Sequence, residues 1–85
     1  MKINLLYFAR LREQFGISEE TVEMPENHTT VATLLDLLRS RGGTWAALLA
    51  PDQNYRIAVN QELIVQATRL TSGDEVAIFP PVTGG

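Results

Sequence analysis

The residues with the clearest chemical potential are the last six, Pro80-Pro81-Val82-Thr83-Gly84-Gly85. Fully extended, they reach roughly 20 Å. Two prolines bias the stem toward an extended conformation, and two glycines leave the tip without side chains. A stiff stem with a thin tip suits a narrow active site on another protein. The group delivered there is the Gly85 α-carboxylate. It is ionised at pH 7 and is a poor electrophile until it is activated, for example by adenylation. A frayed terminus that happens to end in glycine is the plainer alternative.

Little else in the chain suits catalysis. There is no cysteine, hence no disulfide, thiolate ligand or thiol nucleophile. The single histidine, His28, sits between Asn27 and Thr29 and reads as a solvated loop residue. One histidine builds no multi-histidine zinc site within a chain. Glu19, Glu20, Glu23 and Glu26 read as a solvated acidic face rather than a carboxylate pair. Gly42-Gly43 matches neither a P-loop nor a dinucleotide fingerprint and reads as a helix end. Trp45 reads as core rather than as a binding platform. Neither a catalytic residue, a bound cofactor nor a metal is expected in this chain.

Composition narrows the class. The chain has 85 residues, 45% hydrophobic and 20% charged. That is enough for one small domain and too apolar for disorder. Its net charge of −3 lacks the electrostatic footprint of a nucleic-acid binder. The longest apolar run, 45–50, falls far short of a bilayer span, which takes about 20 residues. Asn4, Arg10 and Arg12 break any signal-like stretch. A cytoplasmic domain is the expectation, contacting neither membrane nor nucleic acid.

The elements that would position the tail follow from periodicity. Residues 2–8 alternate as a strand, with Ile3, Leu5 and Tyr7 on one face. A short helix over 9–15 ends at Gly16, where a left-handed cap is expected. A weaker strand over 19–24 stops at Pro25. Val31, Leu34, Leu35 and Leu38 form one helical stripe, predicting a helix over 31–41 with Thr29 or Thr30 as its cap and Gly42-Gly43 as its end. Thr44 can cap a second short helix over 45–50. Residues 56–60 and 62–66 read as a hairpin turning at Asn60-Gln61. LTSGD, 70–74, is a tight turn before a last strand, 75–79.

This order predicts an α+β fold of the β-grasp kind. It is a mixed sheet of about five strands with one main helix packed on one face, the first and last strands pairing in parallel at the centre. A ferredoxin-like sandwich needs two full-length helices. Residues 1–79 form the domain and 80–85 the extended tail. If Ile3, Leu5, Tyr7, Val76 and Ile78 face the core, alternation turns Phe8 and Phe79 to the opposite face. Leu63 is the third apolar candidate there, unless Leu63 and Ile64 exchange roles.

GDEVAIFPPVTGG, residues 73–85, resembles the ending of the small, sulfur-carrying subunit of molybdopterin synthase. The likeness continues at KINLLYFARLRE (2–13), VATLLDLLRSRG (31–42) and AVNQELIV (58–65). It implies a β-grasp protein that is the non-catalytic, sulfur-donating subunit of a heterotetramer. An adenylating enzyme similar to the ubiquitin-activating enzymes would adenylate Gly85 with ATP, and a sulfur-delivery protein would convert it to a thiocarboxylate. The large subunit would then take the tail, with Gly84 and Thr83 in its channel, and sulfur would pass to cyclic pyranopterin monophosphate to build the molybdopterin dithiolene. In the same family, Phe8, Leu63 and Phe79 fall at positions resembling the partner-contact patch. A thiamine-type β-grasp carrier and a ubiquitin-like modifier joined to lysines through Gly85 are the alternatives.

Overall fold

The computed structural model describes residues 1–26, 29–65 and 67–81. Its elements run β1 (Lys2–Tyr7), α1 (Ala9–Phe15), β2 (Glu19–Glu23), α2 (Val31–Arg39), α3 (Gly43–Leu48), β3 (Arg56–Val59), β4 (Glu62–Leu63) and β5 (Glu75–Phe79). The five strands form one mixed sheet in the order β2-β1-β5-β3-β4. β1 and β5 pair in parallel, Leu5 opposite Val76 and Tyr7 opposite Ile78. All other pairs are antiparallel.

Alternation places the core as the sequence predicts. Ile3, Leu5, Val76 and Ile78 are wholly buried and Tyr7 nearly so. They meet the α2 stripe of Val31, Leu34, Leu35 and Leu38, every one of which is fully inaccessible. Thr30 caps α2, its hydroxyl accepting from the Thr33 amide at 3.3 Å. Val22, Met24, Leu11 and Leu49 complete the core from β2, α1 and the end of α3. Gly16 closes α1 in the left-handed region, its amide bonding the Arg12 carbonyl at 3.0 Å.

Several boundaries differ from the sequence reading, those of β1, β2 and β3 by one residue and those of α2, α3 and β4 by two or more. α2 ends at Arg39 with Ser40 as a right-handed cap, two residues early. Arg41 is instead drawn across to Glu20, and Gly42 and Gly43, both at positive φ, form the corner into α3. The N-cap of α3 is therefore Gly42, not Thr44, and no side chain caps it. β4 holds only Glu62–Leu63. Ile64 adds one more bond to the Ile57 carbonyl and turns inward against the core. Beyond it, the Thr68 amide donates to the Val65 carbonyl at 3.0 Å. The hairpin itself turns at Asn60 and Gln61, both at positive φ, as a two-residue primed turn requires. Asn60 is tied to β5, donating to Asp74 and accepting from the Glu75 amide, each at 3.0 Å.

Candidate functional site

The tail grows from the middle of the sheet. β5 lies between β1 and β3, so its last residue, Phe79, leaves a strand held on both edges. On one side the Phe8 amide donates to the Ile78 carbonyl at 3.3 Å. On the other, Phe79 stands opposite Arg56. Pro80 and Pro81 follow and are partly buried, so the stem does not stand clear of the domain at its base. Val82, Thr83, Gly84 and Gly85 lie outside the described residues, as does His28.

The sheet face turned away from α2 carries the predicted patch. Leu6, Ala77, Ala58 and Leu63 stand in one cross-strand row, and paired residues share a face. Leu63 is 69% exposed and Phe8 43% exposed. The ambiguity between Leu63 and Ile64 resolves with Leu63 outward and Ile64 inward. Phe79 is only partly exposed, held between β1 and β3. Phe8 is not a strand residue: it is the extended N-cap of α1, and Ala9 at φ 52° turns the chain into that helix. Two residues were missed from sequence. Val65 is 71% exposed, two positions beyond Leu63. Arg56 lies in the Phe79 row, visible only once the hairpin register is known. With Tyr55, Ile57, Leu63 and Ile64 they line a shallow groove of about 300 Å³ beside the tail root. A larger groove of about 530 Å³ lies elsewhere, over Asn4, Leu6, Glu19, Thr21 and Glu75. Most of its lining is polar and it lies further from the root, so its size does not make it the site.

A polar network braces the elements at this end. Glu20 is not part of a solvated acidic face. Its carboxylate accepts from the Tyr7 hydroxyl at 2.6 Å and from both Arg41 terminal nitrogens at 2.8 Å. Arg41 holds the Glu20 carboxyl below its ordinary range against the opposing effect of burial. Burial, then Glu20, pushes the Tyr7 hydroxyl far above its ordinary value, so it remains a proton donor. Arg41 also lies 4.4 Å over the Trp45 ring. Trp45 stacks on Phe15 with ring centroids 3.8 Å apart. Both rings meet Tyr7 edge-on, a favoured aromatic geometry. Trp45 thus packs against the core, as read from sequence. The network joins β1, α1, β2 and α3, and so fixes the strand end from which Phe8 projects.

Among the described residues, no three potential ligands gather into a group that could hold a metal ion, and no helix is long and apolar enough to cross a membrane. The end of the sheet carries a tail root, an apolar patch and exposed arginines.

The sequence pattern of the ThiS family matches residues 5–85, from within β1 to the final glycine. The chain belongs to that family. It is 41% identical to the molybdopterin synthase sulfur carrier subunit of Escherichia coli (strain K12) over 98% of its length and 99% of that protein's. Among solved structures, a Pyrococcus furiosus protein assigned as molybdopterin converting factor, subunit 1, superposes with a TM-score of 0.81 at 30% identity, covering 96% of this chain and 99% of that one. SAMP1 from Haloferax volcanii superposes at 0.80 with 28% identity over the whole of both chains. The β-grasp architecture expected from the element order is shared with these family members.

Proposed function

We propose that this chain is the sulfur-carrier subunit of a molybdopterin synthase. The observation that carries the reading is where the PPVTGG segment begins: Phe79, Pro80 and Pro81 lead off the central strand beside an apolar patch, in a family member similar over its full length to sulfur carrier subunits. In the proposed cycle the Gly85 carboxylate attacks the α-phosphorus of ATP on an adenylating enzyme, and pyrophosphate leaves. Hydrosulfide released by a delivery protein then attacks the acyl carbon, AMP departs, and loss of the sulfur-bound proton leaves a thiocarboxylate. The large subunit receives the tail, Pro80 to Gly84 lining up in its channel, and sulfur passes to cyclic pyranopterin monophosphate. Water then attacks the acyl carbon of the thioester formed in the transfer, the acyl–sulfur bond breaks with the sulfur left on the pterin, and the Gly85 carboxylate is regenerated. Phe8, Leu63 and Phe79 seat the domain on both enzymes in turn, so those two complexes exclude one another. The chain contributes binding and the donor atom; the catalytic groups belong to the large subunit, and the cycle runs in the cytoplasm.

The likeness to SAMP1, a small archaeal modifier protein, favours a second use of the same activated carboxylate, transfer to a lysine amine. Intact mass of the protein from its native host separates the readings. Exchange of one oxygen for sulfur supports the carrier. A stable protein conjugate without that exchange supports the modifier, and neither product refutes both.

A further inference from the structure

Once activated, the Gly85 acyl carbon is open to any nucleophile within reach, and an amine competes with sulfur for it. The chain is nearly free of amines. Among its 7 lysines and arginines, only Lys2 is a lysine. An arginine guanidinium stays protonated, with no electron pair to offer an acyl carbon, whereas lysine becomes a nucleophile on losing its proton. No cysteine is present. The Met1 ammonium donates to the Met24 carbonyl at 2.7 Å. The Tyr7 hydroxyl donates to Glu20 at 2.6 Å, and the Tyr55 hydroxyl to the Leu49 carbonyl at 3.2 Å.

Topology sets where Lys2 and Met1 stand. β1 and β5 are parallel, so the start of β1 and the end of β5 lie at opposite ends of the sheet. Tyr7 ends β1 opposite Ile78, and Lys2 opens the same strand, roughly 17 Å back along the sheet. A residue that precedes proline is confined to extended backbone. Phe79 and Pro80 both precede one, so they carry the chain onward and not back. The tail can reverse only from Pro81, which this extended path puts roughly 25 Å from Lys2. The residues left, 82–85, span at most about 14 Å. The four-carbon stem of lysine does not close that gap. The same residues do reach back to the level of Phe79. The cations at that level are Arg56, opposite Phe79 on β3, and Arg10, just beyond Phe8 in α1. Both are exposed.

We infer that the fold selects the nucleophile that takes the activated glycine: its amines are held beyond the reach of its own tail, and the cations at the root are arginines, Arg56 above all. The acyl group therefore stays available to an external sulfur donor. The inference rests on the activated-carboxylate reading above. A lysine in place of Arg56 would capture the acyl group. Its neutral Nζ attacks the acyl carbon of the adenylate and a C–N bond forms. The bond from the acyl carbon to the phosphate oxygen breaks, AMP leaves with the electron pair, and the surplus proton on nitrogen passes to water. The product is a chain closed on itself by an amide, one water lighter than the free acid and unable to carry sulfur. Arg56 is in this sense a specificity-determining residue: it puts a cation at the tail root without putting a nucleophile there.

The test incubates the full chain with its adenylating enzyme and ATP, without a sulfur donor, at mildly alkaline pH where more of an amine is unprotonated. Pyrophosphate release reports activation and intact mass reports closure. The unmodified chain should release pyrophosphate and yield no closed monomer. Arg56→Lys, and separately Arg10→Lys, should yield at least about tenfold more closed monomer, because a tethered amine acts at an effective concentration on the order of millimolar. Peptide mapping should find the amide between Gly85 and the new lysine. Arg69→Lys makes the same exchange before the turn into β5, at the far end, and should stay open. All three positions are exposed, so unchanged melting temperatures are the expected control. Pyrophosphate release without closure in both root variants overturns the inference. So does a closed monomer formed by the unmodified chain or by Arg69→Lys. An unmodified chain that releases no pyrophosphate refutes the activated-carboxylate reading itself, and the inference falls with it.

Discussion

Neighbouring residues on β5 should divide stability from binding. Ile78 is fully buried between Tyr7 and Ile57 on the core face. Truncation to alanine leaves a cavity under α2 and costs about 2–5 kcal/mol. A domain of this size gains roughly 4–13 kcal/mol in total, so Ile78→Ala removes a large share. At about 4–8 °C per kcal/mol the melting temperature should drop by at least ~8 °C. Phe79 points to the other face and is only partly buried. Phe79→Ala uncovers a surface site rather than a cavity, and should cost the free fold about 1 kcal/mol. As a central aromatic anchor it should cost about 2 kcal/mol or more of binding to the large subunit, a loss of roughly thirtyfold in affinity. Thermal melts of both variants, beside titration calorimetry against the large subunit, give the comparison. A Phe79→Ala variant that melts below Ile78→Ala would mean that the outward face of β5 holds the fold together. The docking patch would then lose its basis.

Other consequences can be measured directly. Glu20→Gln removes the charge that Tyr7 and Arg41 both address and should cost about 1–3 kcal/mol near neutral pH. Because the folded Glu20 carboxyl titrates below its unfolded value, its stabilisation is full above the ordinary glutamate range and is lost as pH falls through the folded value. Urea melts of the variant and the parent should therefore converge in acid, and a constant gap would exclude the charge as the cause. Ala9 is a non-glycine residue held at φ 52°. Ala9→Gly should relieve that strain and stabilise the fold by about 1 kcal/mol; a lower denaturation midpoint would contradict it. Adding one residue after Gly85 should abolish adenylation, followed by pyrophosphate release, while leaving the melting temperature unchanged. A tailed protein still adenylated would refute the requirement for a free glycine carboxylate.

The parts of the molecule legible in sequence are those governed by local periodicity. Ile3, Leu5 and Tyr7 announce a two-residue repeat, and Val31 to Leu38 a helical one. Each buried face emerged as the repeat implies. The central parallel pair followed because two apolar terminal strands need each other to be buried. What stayed hidden depends on register or on distant partners. Arg56 reads as an ordinary strand start until β3 is laid against β5 and its partner becomes Phe79. Glu20 sits among acids in the sequence, and only the β1–β2 pairing brings it to Tyr7 and Arg41. Gly42-Gly43 looks like a helix stop, whereas the structure uses it as a corner, because Arg41 has been pulled toward Glu20.

The placement of β5 also explains how a tail can report on the whole fold. Its neighbours are β1, from the opposite end of the chain, and β3, across a turn and a hairpin. Such non-local pairing forms late relative to local helix. Phe79 and the partly buried Pro80 and Pro81 therefore take up their positions only when the strands on both sides are in place. The patch is assembled by the same event, since Phe8 comes from the end of β1 and Leu63 from the hairpin. On the proposed tail-docking reading, an enzyme that must meet patch and tail together would discriminate folded from unfolded chains without any dedicated device. Local melting of either flanking strand would separate the tail root from the patch.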